Sequence, residues 1–130
     1  MISESKPQPI LIIEDNPENR ELATWILEDA GYDSECAETA EKGLELLEKN
    51  DYSLVLMDIS LPGMDGKEAT RKIRENPRTK DIVIIALTAH AILEEREAIL
   101  KCGVNDMLTK PVEEEQMIAK IVELIGPGAG

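Results

Sequence analysis

The chain has 130 residues, with 14 Lys plus Arg against 27 Asp plus Glu and a formal charge of −13. That length suits one domain with a real core, and that charge repels nucleic acid and anionic membrane surfaces. Phe is absent, so the core is aliphatic, and the two cysteines, Cys36 and Cys102, build neither a disulfide framework nor a metal-ligand cluster; both are expected to be reduced and in or near the core.

The first element is PILII (Pro9–Ile13), a short β-branched run that reads as a buried strand. Asn16 and Pro17 open a helix, as cap and first helical residue, that runs to Ala30 and stops at Gly31. Its inward face is expected to carry Leu22, Ala23, Ile26, Leu27 and Ala30. DSECA (Asp33–Ala37) is a more polar strand suited to a sheet edge. Thr39–Lys49 is helical, with Ala40, Gly43, Leu44 and Leu47 on one face. YSLVLM (Tyr52–Met57) is a third strand, and a helix follows from about Lys67 to Arg74. DIVIIAL (Asp81–Leu87) is the clearest strand of all. Ala91–Cys102 is helical, NDMLT (Asn105–Thr109) is the fifth strand, and Glu113–Ile125 closes the fold as a helix facing inward through Met117, Ile118, Ile121, Val122 and Ile125. Alternating strands and helices predict an α/β fold, a doubly wound five-stranded parallel sheet of the flavodoxin-like order 2-1-3-4-5 with helices on both faces.

In such a sheet the carboxyl ends of the strands form one ligand-binding crest. The first strand delivers Glu14 and Asp15 there, the third Asp58, the fourth Thr88, and Lys110 follows the fifth. A carboxylate is costly to bury, so a core strand that ends on Asp58 reads as a rigid mount for it. Three carboxylates without His or Cys partners form an all-oxygen set suited to a hard cation, and Mg²⁺ takes one or two carboxylates while keeping waters. With Lys110 and Thr88 opposite, the group suits a phosphoryl moiety carried on Asp58 as nucleophile.

The motifs IIEDN, LVLMDISLPGMDG, IIALTA and MLTKP stand in an order and spacing that resembles the receiver domain of a two-component response regulator, of the single-domain, chemotaxis-regulator-like kind, over about Pro9 to Ile125. The resemblance implies that Glu14, Asp15, Asp58 and the backbone carbonyl of Ser60 bind Mg²⁺. It further implies that Asp58 accepts a phosphoryl group from the phosphohistidine of a histidine kinase or histidine phosphotransfer protein. Thr88 and Lys110 would contact the phosphoryl oxygens, and Pro111 would follow a cis peptide bond. Catalysis would extend only to the chain's own phosphorylation and dephosphorylation, and the output would be switched contact with a target protein. One departure stands out: receivers usually carry Tyr, Phe or His in the fifth strand where this chain has Met107, so coupling of the pocket to the last helices would be weaker or differently built.

An aspartate-nucleophile phosphatase would want a second acid two residues after the nucleophile, where Ser60 stands. A flavin module would need a Ser/Thr/Gly-rich phosphate loop, and EDNPEN is acidic. No P-loop or leftover helix-turn-helix segment occurs. The start MISESKPQPILIIEDN meets Glu14 and Asp15 too soon for a signal peptide, and no run approaches the ~20 apolar residues of a membrane span, so a cytoplasmic, non-membrane protein is expected. Residues 1–8 and 126–130 are expected to be flexible tails around a receiver at 9–125. The initiating Met favours a natural start, while GPGAG leaves open a linker to a larger hybrid protein. His90, the one histidine, has no partner in the sequence and at most lines the pocket mouth. Trp25, the one tryptophan, falls on the outer face of the first helix beside Glu21, Glu28 and Asp29, where it is either unremarkable or part of a protein contact.

Overall fold

The computed structural model describes residues 8–61, 63–89 and 92–128. In chain order the elements are β1 (Ile10–Ile13), α1 (Pro17–Asp29), β2 (Ser34–Ala37), α2 (Ala40–Lys49), β3 (Leu54–Asp58), α3 (Gly66–Glu75), β4 (Val83–Thr88), α4 (Leu93–Lys101), β5 (Asp106–Thr109) and α5 (Glu114–Ile125). The strands pair in the order β2-β1-β3-β4-β5, every pairing parallel. This is the predicted order, and it leaves β2 at one edge.

Both faces of the central strands are buried, which is why they read as continuous apolar runs. Alternation along each strand then divides the core in two. Leu11, Ile13, Val55, Met57, Ile84 and Ala86 pack under α2, α3 and α4 with Ala69, Ile73, Ile99 and Cys102. Ile10, Ile12, Leu54, Leu56, Ile85 and Leu87 pack under α1 and α5 with Ala23, Ile26, Leu27, Met117 and Ile121.

The helix starts follow local chemistry. The Asn16, Thr39 and Asp65 side chains cap α1, α2 and α3 by accepting from the backbone N–H three residues on. α1 ends at Gly31, whose φ of 88° suits glycine. β3 begins at Leu54 rather than Tyr52, because the Ser53 N–H bonds outside the ladder to the Pro9 carbonyl, and it includes Asp58, which stands opposite Leu87.

Three burial expectations are corrected. Leu22 on α1 and Val122 on α5 are exposed, because the sheet covers a narrower stripe of each helix than the periodicity allowed. Cys36 is exposed while Cys102 is buried; Cys36 stands on the edge strand β2, where its thiol meets the Thr24 hydroxyl of α1 at 3.6 Å. The expected tail residues 1–7 and 129–130, and His90, lie outside the described residues.

Candidate functional site

At the carboxyl ends of the strands, β1 and β3 are neighbours whose following connections leave toward opposite edges of the sheet, which opens a crevice. Glu14, one residue beyond β1, is buried, and Asp15 after it is exposed. Asp58, the last residue of β3, is only 2% exposed. Carboxylate oxygens of Glu14, Asp15 and Asp58 lie within 4.8 Å of one another. Lys110 reaches in from beyond β5, its Nζ 3.1 Å from Asp58 Oδ2 and 3.1 Å from Glu14 Oε1. The Ser60 N–H donates to Asp58 Oδ1 at 3.0 Å. Thr88 is buried at the end of β4, and its carbonyl accepts from the Lys110 N–H at 2.8 Å. The Lys110–Pro111 peptide is cis, as the resemblance implied.

The electrostatics follow from crowding. Burial, then the neighbouring Asp58 carboxyl, holds the Glu14 carboxyl above the usual carboxylate range, against the opposing pull of the Asn16 N–H and Lys110. Burial works against the Lys110 ammonium, but its contacts with Glu14 and Asp58 outweigh it and raise Lys110 above its ordinary value. Two groups were missed by reading the sequence. Arg20 donates through Nη1 to the carbonyls of both Glu14 and Asp15 at 3.0 Å, fixing the loop that carries them. Gly66 is required by close approach: a Cβ there would fall 2.3 Å from the Asp58 carbonyl oxygen. The glycine was visible in PGMDG, but not what it packs against. Met107, in the usual aromatic position, is buried in the core cluster that also holds Ala86, Ile99, Cys102 and Val104.

A second cleft, of about 280 Å³ and lined by Leu47, Tyr52, Arg78 and Val83, opens near the amino ends of β3 and β4, away from these carboxylates. The carboxylates of Glu14, Asp15 and Asp58 and the Lys110 ammonium converge at the carboxyl crest.

The family described as response regulator receiver domain matches residues 10–122. The chain belongs to that family. This receiver is 37% identical over 125 residues to the sensor protein GacS of Pseudomonas syringae pv. syringae, covering 94% of this chain and 14% of GacS. It is 41% identical over 109 residues to an uncharacterized 14.6 kDa protein of Leptolyngbya boryana, covering 84% of this chain and 83% of that one. Among solved structures, it superposes on the receiver domain of sensor histidine kinase PA1611 from Pseudomonas aeruginosa with a TM-score of 0.86 and 36% identity, covering 92% of this chain and 98% of that one; that structure has a magnesium ion coordinated in its active-site cleft. The receiver is thus a two-component signalling module, of a family that accepts phosphoryl groups on aspartate, and not a metabolic enzyme. Among the described residues no helix is long and apolar enough to cross a membrane.

Proposed function

We propose that Asp58 is the phosphoacceptor of this receiver, taking its phosphoryl group from the phosphohistidine of a histidine kinase or histidine phosphotransfer protein, with Mg²⁺, and that the modification switches contact with a target protein. The observation that carries this reading is Asp58 itself, a buried carboxylate on a rigid strand end between the Lys110 ammonium and the Ser60 N–H. The match to sensor kinases supports the choice of donor. The absence of a long apolar helix among the described residues agrees with a cytoplasmic setting, and the charge of −13 argues against nucleic-acid or anionic-membrane partners.

In the transfer, an Asp58 carboxylate oxygen attacks phosphorus. The new O–P bond forms as the P–N bond to the donor imidazole breaks, and the imidazole keeps that electron pair and takes up a proton. Lys110 and Thr88 meet the charge on the equatorial oxygens, and positioning supplies most of the acceleration. Hydrolysis of the acyl phosphate uses the same groups, so self-phosphorylation and dephosphorylation belong to one site.

The donor set fits Mg²⁺. Glu14 Oε1 is buried without a hydrogen bond and meets the Lys110 ammonium only as an ion pair, and the Glu14 carboxylate converges with those of Asp15 and Asp58 as a set of three hard donors. Glu14, Asp15 and Asp58, with the Ser60 backbone carbonyl, would hold the ion. When bound it neutralises charge between the carboxylates and the incoming phosphoryl oxygens.

The test is labelling with a small-molecule acyl-phosphate donor and Mg²⁺, read by intact mass. One phosphoryl adduct is expected, absent in Asp58→Asn. Lys110→Ala should still bind Mg²⁺ yet lose the amide-shift changes that follow phosphorylation. Undiminished labelling of Asp58→Asn would overturn the assignment, and a full phosphorylation response in Lys110→Ala would remove that residue's role.

A further inference from the structure

Arg20 carries its charge in an unfavourable place. It is the fourth residue of α1, and a helix turns the positive end of its dipole toward its N-terminus, where anions are favoured and cations are not. Helical side chains lean toward that end, and the Arg20 guanidinium follows. Its Nη1 donates to the carbonyls of Glu14 and Asp15, both at 3.0 Å. These carbonyls precede the N-cap Asn16, so the helix ladder supplies neither with a donor. In a chain with 27 acidic residues, Arg20 takes no carboxylate partner among the described residues. Nor does the Asp15 carboxylate have an ion pair among them, whereas Glu14 and Asp58 share Lys110.

The two bonded carbonyls belong to the planar peptide units on either side of the Asp15 Cα, so a donor that holds both holds φ and ψ of Asp15 together. Glu14 has other restraints: it is buried, its N–H donates to the Ala37 carbonyl at 3.0 Å, and its carboxylate accepts from the Asn16 N–H at 3.1 Å. Asp15 is the exposed member of the acidic cluster. We propose that Arg20 is a positioning residue for the metal site, which aims the Asp15 carboxylate at those of Glu14 and Asp58 while leaving it unpaired for the cation. The proposal rests on the Mg²⁺ reading of that cluster. Charge and positioning have opposite signs here. As a nearby cation Arg20 repels Mg²⁺, so its removal would tighten binding; as an orienting group it favours Mg²⁺, so its removal weakens binding.

The experiment titrates the whole chain with Mg²⁺ by calorimetry at fixed ionic strength, each variant below its own melting transition. Arg20→Ala should weaken Mg²⁺ roughly tenfold and move the amide resonances of residues 14–16 before any metal is added. Arg20→Lys keeps the charge on a stem one bond shorter and without the planar fork, so it too should bind more weakly than wild type, and it carries the test if Arg20→Ala does not fold. In both variants the Mg²⁺ concentration for half-maximal labelling of Asp58 should rise more than the rate at saturating Mg²⁺ falls. Trp25, exposed five residues further along α1, is the control, and Trp25→Ala should bind Mg²⁺ like wild type. Unchanged or tighter binding in Arg20→Ala, wild-type affinity in Arg20→Lys, or an equal loss in Trp25→Ala would overturn the proposal. A wild type that binds no Mg²⁺, or an Asp15→Asn that binds it equally well, would instead overturn the metal reading beneath it.

Discussion

Tyr52 ties the edge strand to the core through a single hydroxyl, which donates to Glu35 on β2. Burial, then that bond and the Glu35 charge, push its phenol up to about 12. In the unfolded chain a tyrosine titrates near ~10. The folded state therefore binds the proton more tightly, and the contribution is whole below pH ~10 and is lost as pH rises through about 12. Urea denaturation at stepped pH should show stability falling across that window. Tyr52→Phe should cost about 1 kcal/mol at pH 8 and flatten the alkaline decline; an unchanged decline would assign it to a group other than Tyr52. Gly66 is the other residue-scale test. Its missing Cβ leaves room for the Asp58 backbone, and backbone yields less readily than a side chain. Gly66→Ala should lose about 1–3 kcal/mol and slow labelling of Asp58, whereas wild-type values of both would show that the crevice relaxes freely.

Among elements, α3 and α4 differ most in how they are held. Arg74, in the last turn of α3, donates to Gly103 O at 2.9 Å, Lys80 O at 2.9 Å, Ile82 O at 2.6 Å and Asn105 Oδ1 at 2.9 Å. One guanidinium thus joins the end of α3 to the approaches of β4 and β5. Arg74→Ala leaves those acceptors without their donor and should cost about 2–4 kcal/mol. Arg74→Lys should recover little, because an ammonium cannot span the same fork; full recovery in a melting curve would point to charge alone. α4 buries only Ile99 and has no side-chain cap, and Leu93 is 68% exposed. Local stability follows burial, so hydrogen exchange should release the α4 amides before those of α5, which buries Met117 and Ile121. Equal protection would mean that α4 is held by something other than its own packing.

For the whole molecule, the charge of −13 is spread over a small surface, and self-repulsion destabilises the compact state. Monovalent salt should raise the melting temperature by screening. Mg²⁺ should raise it further at equal ionic strength, because a ligand of the native state adds RT ln(1 + [L]/Kd), roughly 2.7 kcal/mol at 100 Kd. Asp15→Asn should melt higher than wild type without Mg²⁺ and respond less to it. Identical melting of the two proteins in both conditions would detach the acidic cluster from metal binding.

The order of the sheet and the convergence of its polar strand ends are both legible in the residues alone. Continuous apolar runs at Ile10–Ile13, Leu54–Met57 and Val83–Leu87 can be satisfied only by burial on both faces, which forces helices onto each side and a parallel order. Polar residues that break such runs, Glu14, Asp58 and Thr88, had to fall at strand ends, and parallel strands bring those ends together. Tertiary structure alone decided what crosses between elements. Periodicity gives the direction of a helix's apolar face but not the width of its contact, which is why Leu22 and Val122 stay exposed. Nothing within DSECA states how much of Cys36 the neighbouring helix covers. The bonds of Arg20 to its loop carbonyls and of Arg74 to residues up to 31 positions away leave no local pattern. Burial is encoded residue by residue along an element, whereas a contact between elements exists only once register and packing have set their distance.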